Sequence, residues 1–294
     1  MTSVPPLPAT PEELAFLRRA YAHQVCHRAE VADPRIAAAF ARVPREAFLG
    51  RPPWRLVVER GAFREIPEPD PVLAYQDALF ALAPKLFVNN GQPSLHARLL
   101  DALGLREGAR VAHLGAGTGY YTAVLAELVG PTGRVLAVEH DARLAAFARD
   151  ALAPWPQVAV VHGDGLATDL DGVEAIYVSF AVEDYPPAWR AAIGAGARLL
   201  APLGARALVD GAPGPWAHGA AFLIAPEAGG IAARFVSPAG FVCAQGAEPV
   251  SPDHRARLAR AFAEGRPREV RGFVLGPAGE REAFFATPDW ALVP

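Results

Sequence analysis

The chain has 294 residues, enough for one large domain or for a domain with an appended segment. Its formal net charge of −3 gives no overall basic field, so neither nucleic acid nor an anionic membrane is expected as a partner. Cys26 and Cys243 lack the spacing of a metal site and predict no disulfide framework, which favours a reducing cytoplasm. The proline-rich start does not resemble a signal peptide, and no apolar run approaches the roughly 20 residues of a membrane helix.

Two helices are predicted near the N-terminus. Thr10-Pro11-Glu12-Glu13 contains the N-cap residue, the proline and the glutamate of a capping box, which marks a helix start. A second, shorter helix is expected after Asp33-Pro34. Residues 50–72 are rich in proline and arginine, and we expect a surface arm with turn character throughout. Residues 82–94 are expected to be irregular and to lead into a helix from Pro93 to Leu103.

Strands and helices alternate beyond Gly104. This pattern predicts an α/β, Rossmann-like fold with a mostly parallel, doubly wound sheet and helices on both faces. The predicted strands begin at Arg110 or span Val135–Glu139, Val158–Val161, Ala175–Ser179 and Arg198–Ala201, and the predicted helices cover Ala142–Leu152 and the surroundings of Trp189–Ile193.

The pattern changes from about Arg206, where apolar segments are separated by short Gly/Pro turns. We expect antiparallel strands added to the sheet edge at Ala207–Val209, Ala221–Ile224 and Ala232–Val236. A polar helix is predicted at Pro252–Glu264. A final hairpin is predicted to pair Val270–Leu275 with Glu282–Ala286 across the turn Gly276-Pro277-Ala278-Gly279.

A glycine-rich turn separates the predicted strand Val111–Leu114 from an apolar helix. Such a turn brings backbone N–H groups and a positive helix end close to a ligand. Tyr120 stands where a dinucleotide site needs a third small residue, which argues against a pyrophosphate there. The predicted ligand-binding residues of the turn are Gly115, Ala116, Gly117, Thr118 and Gly119.

Acidic residues follow the next two predicted strands. Glu139, with His140 after it, ends the second strand, where a carboxylate accepts hydrogen bonds from both ribose hydroxyls. Asp164-Gly165 follows the third strand, where an acidic side chain accepts from an adenine amino group. Taken singly, these residues are a surface glutamate and a turn aspartate. In register after successive strands, they predict an adenosine site, and Asp164 favours S-adenosyl-L-methionine over a dinucleotide.

Four segments together resemble one family, the protein-L-isoaspartate O-methyltransferases, and the resemblance extends over roughly residues 20–245. They are Val43-Pro44-Arg45-Glu46-Ala47-Phe48, the stretch Gly115 to Leu128, Gly163-Asp164-Gly165, and Pro202-Leu203-Gly204. The resemblance implies a class I methyltransferase fold and an O-methyltransferase that uses S-adenosyl-L-methionine to methylate a carboxylate of the isoaspartyl type.

The chain departs from the family's "TISQP" segment, whose serine lies beside the reacting carboxylate. Gly91 occupies the serine position ahead of Gln92-Pro93. Asn89, Asn90 or Ser94 could replace the missing hydroxyl, and the predicted catalytic residues on this acceptor side are Asn90, Gln92 and Ser94. His96 and His113 are expected to be structural or, for His96, a surface residue, because a histidine in such an element is seldom catalytic.

The sequence therefore predicts three segments. Residues 1–90 form N-terminal helices and an acceptor-side arm, residues 91–247 the S-adenosyl-L-methionine-binding domain, and residues 248–294 a C-terminal helix and hairpin through which an oligomer could form. The expected substrate is a protein, peptide or small-molecule carboxylate. Two alternatives stay open: a peptide-tailoring or small-molecule methyltransferase with another acceptor, and a non-catalytic binding module on the same fold.

Overall fold

A computed structural model describes residues 9–59, 62–67, 70–246 and 250–294. Helix α1 spans Pro11–Ala29 and helix α2 spans Pro34–Arg42, which confirms both predicted N-terminal helices. The capping box is present: the Thr10 hydroxyl accepts from the Glu13 backbone N–H, and the Glu13 carboxylate accepts from the Thr10 N–H. None of the helices within the described ranges is both long enough and apolar enough to cross a membrane.

The predicted arm over residues 50–72 contains regular structure. Strands β1 (Trp54–Glu59) and β2 (Ala62–Ile66) form an antiparallel hairpin, so the prediction of turn character throughout was wrong. Apolar packing explains the difference, because Trp54 packs edge-on against Phe80, and Leu56 and Ile66 pack against the same small cluster. The proline and arginine content of the segment concealed these apolar contacts.

A short segment leads from this hairpin to the centre of the molecule. Strands β3 (Ala81–Ala83) and β4 (Val88–Asn89) pair with each other, although residues 82–94 were predicted to be irregular. Helix α3 spans Pro93–Leu103, as predicted. The buried side of α3 carries Leu99, Leu100 and Leu103, which pack in the same apolar cluster as residues of α1 and α2.

The parallel half of the main sheet contains five strands in the spatial order β9-β8-β5-β6-β7. Their bounds are β5 Arg110–Leu114, β6 Arg134–Glu139, β7 Val158–His162, β8 Ala175–Val178 and β9 Arg198–Val209; the connecting helices are α4 Tyr120–Val129, α5 Ala142–Ala151 and α6 Pro187–Gly194. This arrangement confirms the predicted α/β fold. The carboxyl ends of β5, β6 and β7 meet at one edge, where ligands bind in sheets of this type.

The same sheet continues as antiparallel strands. Strands β10 (Ala212–Glu227) and β11 (Gly230–Val242) extend it beyond β9, which confirms the expected antiparallel additions. These strands are longer than predicted, and Ala207–Val209 is the end of β9 and not a separate strand. Gly204 and Gly219 face each other across the pair, and a Cβ at Gly219 would lie 2.0 Å from the Leu203 carbonyl oxygen.

The C-terminal segment completes the sheet. Helix α7 spans Pro252–Glu264, as predicted. Strand β12 (Gly272–Leu275) pairs with β14 (Trp290–Val293), while β13 (Phe285–Ala286) lies on the other side of β14. The predicted pairing of Val270–Leu275 with Glu282–Ala286 was therefore wrong. The apolar strand β14 lies between β12 and β13, where it buries Trp290 and Leu292 completely.

Candidate functional site

The glycine turn leaves β5 and opens α4. Gly115, Gly117 and Gly119 all have positive φ values, between +58° and +97°, which L side chains rarely adopt. A Cβ at Gly115 would lie 2.6 Å from Phe180 Cδ1, and one at Gly119 would lie 2.7 Å from Leu152 Cδ1. Backbone conformation thus favours glycine at all three positions, and space also favours it at Gly115 and Gly119. The turn presents bare backbone to the cleft above it.

Glu139 ties the end of β6 to this turn. One carboxylate oxygen accepts from the Gly117 N–H at 2.7 Å, and the other accepts from the Asp141 N–H at 2.9 Å. The side chain is only 8% exposed, and burial raises the pKa of the carboxyl above its ordinary value despite these hydrogen bonds. A carboxylate has about four acceptor positions, so capacity remains for two hydroxyl groups of a ligand.

The third strand end also reaches the cleft. Asp164 Oδ1 accepts from the Leu166 N–H at 2.8 Å, which fixes the orientation of the carboxylate, and the Gly165 carbonyl accepts from Trp189 Nε1. His140 follows Glu139 along the same wall. The structure therefore brings eight of the nine predicted cofactor residues around one cleft: Gly115, Ala116, Gly117, Thr118, Glu139, His140, Asp164 and Gly165. The ninth, Gly119, is the N-cap of α4 and does not line the cleft.

Thr118 has a more limited role than its neighbours in the turn. Its hydroxyl is buried and donates to the Phe48 carbonyl at 2.6 Å, so it connects the turn to the N-terminal segment. We therefore expect the backbone of Thr118, and not its hydroxyl, to face a ligand.

Asn90 and Gln92 lie on the opposite wall of the cleft. Asn90 Oδ1 accepts from the Phe80 N–H at 2.7 Å, while its Nδ2 is buried and has no hydrogen-bond partner among the described residues. Leaving a buried donor unpaired costs about 1–3 kcal/mol, so this amide is a candidate to bind a ligand oxygen. Gln92 Nε2 donates to Asp77 at 3.2 Å.

Ser94 is not among the residues that line the cleft. Its hydroxyl donates to Asp77 Oδ2 at 2.7 Å, and its backbone N–H donates to Asp77 Oδ1 at 2.8 Å. These contacts anchor the first turn of α3. The structure thus separates Ser94 from Asn90 and Gln92, with which the sequence had grouped it.

The two histidines near the turn differ in their surroundings. His113 hydrogen-bonds Thr122 at 2.8 Å and Ser179 at 2.9 Å, and burial lowers the pKa of its imidazole to about 3. Both ring nitrogens are therefore used inside the protein, in agreement with a structural role. His96 is buried as well, but unlike a surface histidine it lines the cleft and stacks on Tyr121.

Sequence reasoning missed a third wall of the cleft. Residues of β10 and β11 and the turn after them close it, among them Trp216, Phe241 and Cys243. Trp216 lies edge-on to Phe87, with ring centroids 6.3 Å apart. These residues reach the site only through antiparallel pairing far along the chain, and no local motif signals that position.

Arg45 shows what the segment of residues 43–48 does in the structure. It is fully buried and donates to the carbonyls of Ala74, Gln76 and Ala78 at 2.6–2.8 Å. This fixes the segment that carries Asp77, and Asp77 in turn holds Gln92 and the start of α3. Arg45 thus positions the wall opposite the glycine turn without lining the cleft.

Residues 19–209 match the model of one family, the protein-L-isoaspartate(D-aspartate) O-methyltransferases. The chain belongs to this family. A curated relative from Methanothrix thermoacetophila, named protein-L-isoaspartate O-methyltransferase, is 33% identical over 178 residues, which are 58% of this chain and 74% of the relative. A relative of the same name from Rhodopseudomonas palustris is 35% identical over 60% of this chain and 72% of its own. Members of this family are methyltransferases that use S-adenosyl-L-methionine.

A solved structure titled protein-L-isoaspartate O-methyltransferase has the same fold. It superposes with a TM-score of 0.60 at 23% identity, over 88% of this chain and 74% of the other. The donor residues of this chain fit S-adenosyl-L-methionine, because the glycine turn lines the cleft with backbone and Glu139 retains acceptor capacity beside it.

Proposed function

We propose that this protein transfers a methyl group from S-adenosyl-L-methionine to the side-chain carboxylate of isoaspartyl residues in proteins or peptides. Family membership supports the isoaspartyl residue, and one observation of the site supports a carboxylate acceptor. The Nδ2 of Asn90, which is buried and has no hydrogen-bond partner among the described residues, shares a cleft with Glu139, Asp164 and the glycine turn, so a carboxylate oxygen bound there would be close to the donor.

The chain's own residues divide the work between two walls. On the donor wall, the carboxylate of Glu139 binds ribose hydroxyls and Asp164 binds the adenine amino group, while the glycine turn lets the backbone approach. On the acceptor wall, the Asn90 amide donates to the substrate carboxylate, and Gln92 closes the cleft beside it. Ser94 supports this wall through Asp77 and does not contact the substrate in this proposal.

The reaction needs no general base from the protein. When bound, S-adenosyl-L-methionine supplies an electrophilic methyl carbon: a C–O bond to the carboxylate forms as the C–S bond breaks, and the electron pair stays on the neutral sulfur. A carboxylate is already ionised at neutral pH, since its ordinary pKa is near 4. The protein therefore accelerates the transfer by holding the two groups in line and by excluding water.

Methylation of an isoaspartyl peptide tests this proposal directly. Transfer of labelled methyl from S-adenosyl-L-methionine to the peptide, with ester formed on the isoaspartyl carboxylate, is expected, and the matched peptide with normal aspartate should not react. Absence of ester on the isoaspartyl peptide, with turnover of another carboxylate, would favour the peptide-tailoring or small-molecule alternative. No methyl transfer to any acceptor would favour a non-catalytic module.

The variant Asn90→Asp examines the role of the unpartnered amide. It keeps the oxygen that accepts from Phe80 and replaces only the donating NH₂ group. We expect the kcat/KM for the peptide to fall by about 10- to 100-fold, as for a lost hydrogen bond to a charged group. Asn89→Asp is the matched control, since it adds the same charge to the same cleft. An equal loss in both variants would mean that charge alone acts.

Location and assembly are also proposals. Both cysteines, Cys26 and Cys243, are buried free thiols, which supports a reducing cytoplasmic location. We propose that any oligomer forms through residues 250–294, which provide β13, the outer strand of the antiparallel half. Light scattering after size-exclusion chromatography measures the mass in solution.

A further inference from the structure

On the acceptor wall, the His96 ring fills the space that a side chain at position 91 would need. A Cβ built on Gly91 would lie 2.2 Å from His96 Nε2, far inside van der Waals contact. Gly91 also has a φ of +71°, which disfavours any other residue. The imidazole edge therefore fills the volume into which a side chain at position 91 would project.

The His96 ring is held rigidly in this position. It stacks on Tyr121 with ring centroids 3.7 Å apart and an interplanar angle of 3°. Tyr121 in turn donates to the Gly91 carbonyl at 3.1 Å, and His96 Nδ1 lies 2.6 Å from the Tyr177 hydroxyl. One nitrogen is thus engaged in the core, whereas Nε2 makes no hydrogen bond to any residue in the described part of the chain.

The contact with Tyr177 determines which nitrogen carries the proton. The Tyr177 hydroxyl has no other hydrogen-bond partner among the described residues. If Nδ1–H donated, the phenol proton would be buried without an acceptor, which costs more than an unused lone pair. Tyr177 therefore donates to Nδ1, and the neutral imidazole carries its proton on Nε2.

We propose that His96 Nε2–H donates a hydrogen bond to the acceptor carboxylate, and that His96 and Gly91 together replace a hydroxyl-bearing side chain at position 91. This inference rests on the proposed isoaspartyl activity and assigns it a further substrate-contacting residue. With the Asn90 amide, His96 provides a second unpartnered N–H on the same wall, so that two donors orient the carboxylate. His96 keeps its proton throughout, because methyl transfer to a carboxylate moves none.

Three variants of the full-length protein separate this role from a structural one. His96→Phe keeps a ring that can stack on Tyr121 and removes both nitrogens. His96→Phe combined with Tyr177→Phe removes the orphaned phenol as well, which controls for misfolding. His96→Gln restores an N–H donor on a side chain of similar length. The readouts are kcat and KM for an isoaspartyl peptide and the Kd for S-adenosylhomocysteine.

We expect kcat/KM to fall by about 10- to 100-fold in His96→Phe and in the double variant, while affinity for S-adenosylhomocysteine is retained. His96→Gln should recover part of that loss. In ¹⁵N-labelled protein, the His96 signals should show the Nε2–H form and should shift when the peptide is added with S-adenosylhomocysteine.

Unchanged turnover in His96→Phe, a parallel loss of turnover and S-adenosylhomocysteine affinity in both Phe variants, or an Nδ1–H tautomer would each overturn the role of His96. These results are distinct from failure of the proposed function. If the wild-type protein forms no ester on the isoaspartyl peptide, the proposed acceptor is wrong and this inference falls with it.

Discussion

The Asp77 carboxylate accepts two hydrogen bonds from Ser94, one from its hydroxyl at 2.7 Å and one from its backbone N–H at 2.8 Å. It also accepts from Gln92 and forms an ion pair with Arg28 at 3.2 Å. Asp77 thereby connects α1, the segment held by Arg45 and the first turn of α3. The acceptor wall of the cleft is positioned by this connection, which lies outside the cleft itself.

Ser94→Ala should reduce stability and leave turnover nearly intact. The variant loses one N-terminal helix contact to Asp77, a change that costs about 1 kcal/mol of unfolding free energy. Urea unfolding measures the stability, and peptide methylation measures the activity. A large fall in kcat/KM with unchanged stability would instead place the Ser94 hydroxyl on the substrate.

Arg45→Lys should destabilise the protein strongly, although the substitution keeps the positive charge. A lysine cannot reproduce the planar set of donors that reaches three backbone carbonyls, and the buried acceptors lose their partners. We expect a loss of about 3 kcal/mol or more in unfolding free energy. Arg42→Lys, at an exposed ion pair with Glu127, is the matched control and should change stability little. Equal effects of the two substitutions would contradict the role given to Arg45.

Glu139→Gln should weaken donor binding. The amide NH₂ group would face a backbone N–H in at least one of the two contacts, and the charge that binds ribose hydroxyls would be lost. We expect the Kd for S-adenosylhomocysteine to rise by about 10- to 100-fold, measured by calorimetry. Glu65→Gln, on the exposed β2 strand, should leave the Kd unchanged.

The pH dependence of donor binding provides a second measurement on Glu139. Since burial raises the pKa of this carboxyl, protonation occurs at higher pH than for an ordinary glutamate. Affinity for S-adenosylhomocysteine should be full above this raised pKa and should fall as the pH drops through it. In Glu139→Gln that dependence should be absent; its persistence would assign the titration to another group.

The donor half of the site could be predicted because it is encoded locally. The glycine turn and Asp164 each follow a parallel strand, and Glu139 ends one. The topology of such a sheet brings the carboxyl ends of its strands to one edge. The capping box at Thr10 and the bounds of α3 and α7 were predictable for the same reason, since each depends on residues within one or two turns of helix.

The acceptor half depends on contacts between distant residues and was predicted less well. Ser94 is occupied by Asp77, 17 residues away, and His96 meets Tyr177, 81 residues away. Neither partner can be inferred from spacing. The pairing of β12 with β14 was missed because β14, an apolar strand of four residues, pairs with β12 in place of β13, which is nearer in sequence but shorter.

His113 should make the protein sensitive to mild acid. Its pKa is lowered to about 3 in the folded state by burial, whereas the ordinary value is 6.5. Between these two pH values, His113 is protonated in the unfolded chain and neutral in the folded protein. The stabilisation is complete above pH 6.5 and is lost as the pH falls towards 3, by about 1.4 kcal/mol per pH unit well below 6.5.

Urea unfolding between pH 7 and pH 5 measures this effect. His113→Gln should be less stable at pH 7, because the contacts with Thr122 and Ser179 are disturbed, but its stability should decline less steeply on acidification. Burial lowers the pKa of His96 in the same direction, so a smaller decline should persist in the variant. The exposed His23, replaced by glutamine, is the control and should leave the wild-type slope. A slope in His113→Gln equal to that of the wild type would show that His113 is not the group that resists protonation in the folded protein.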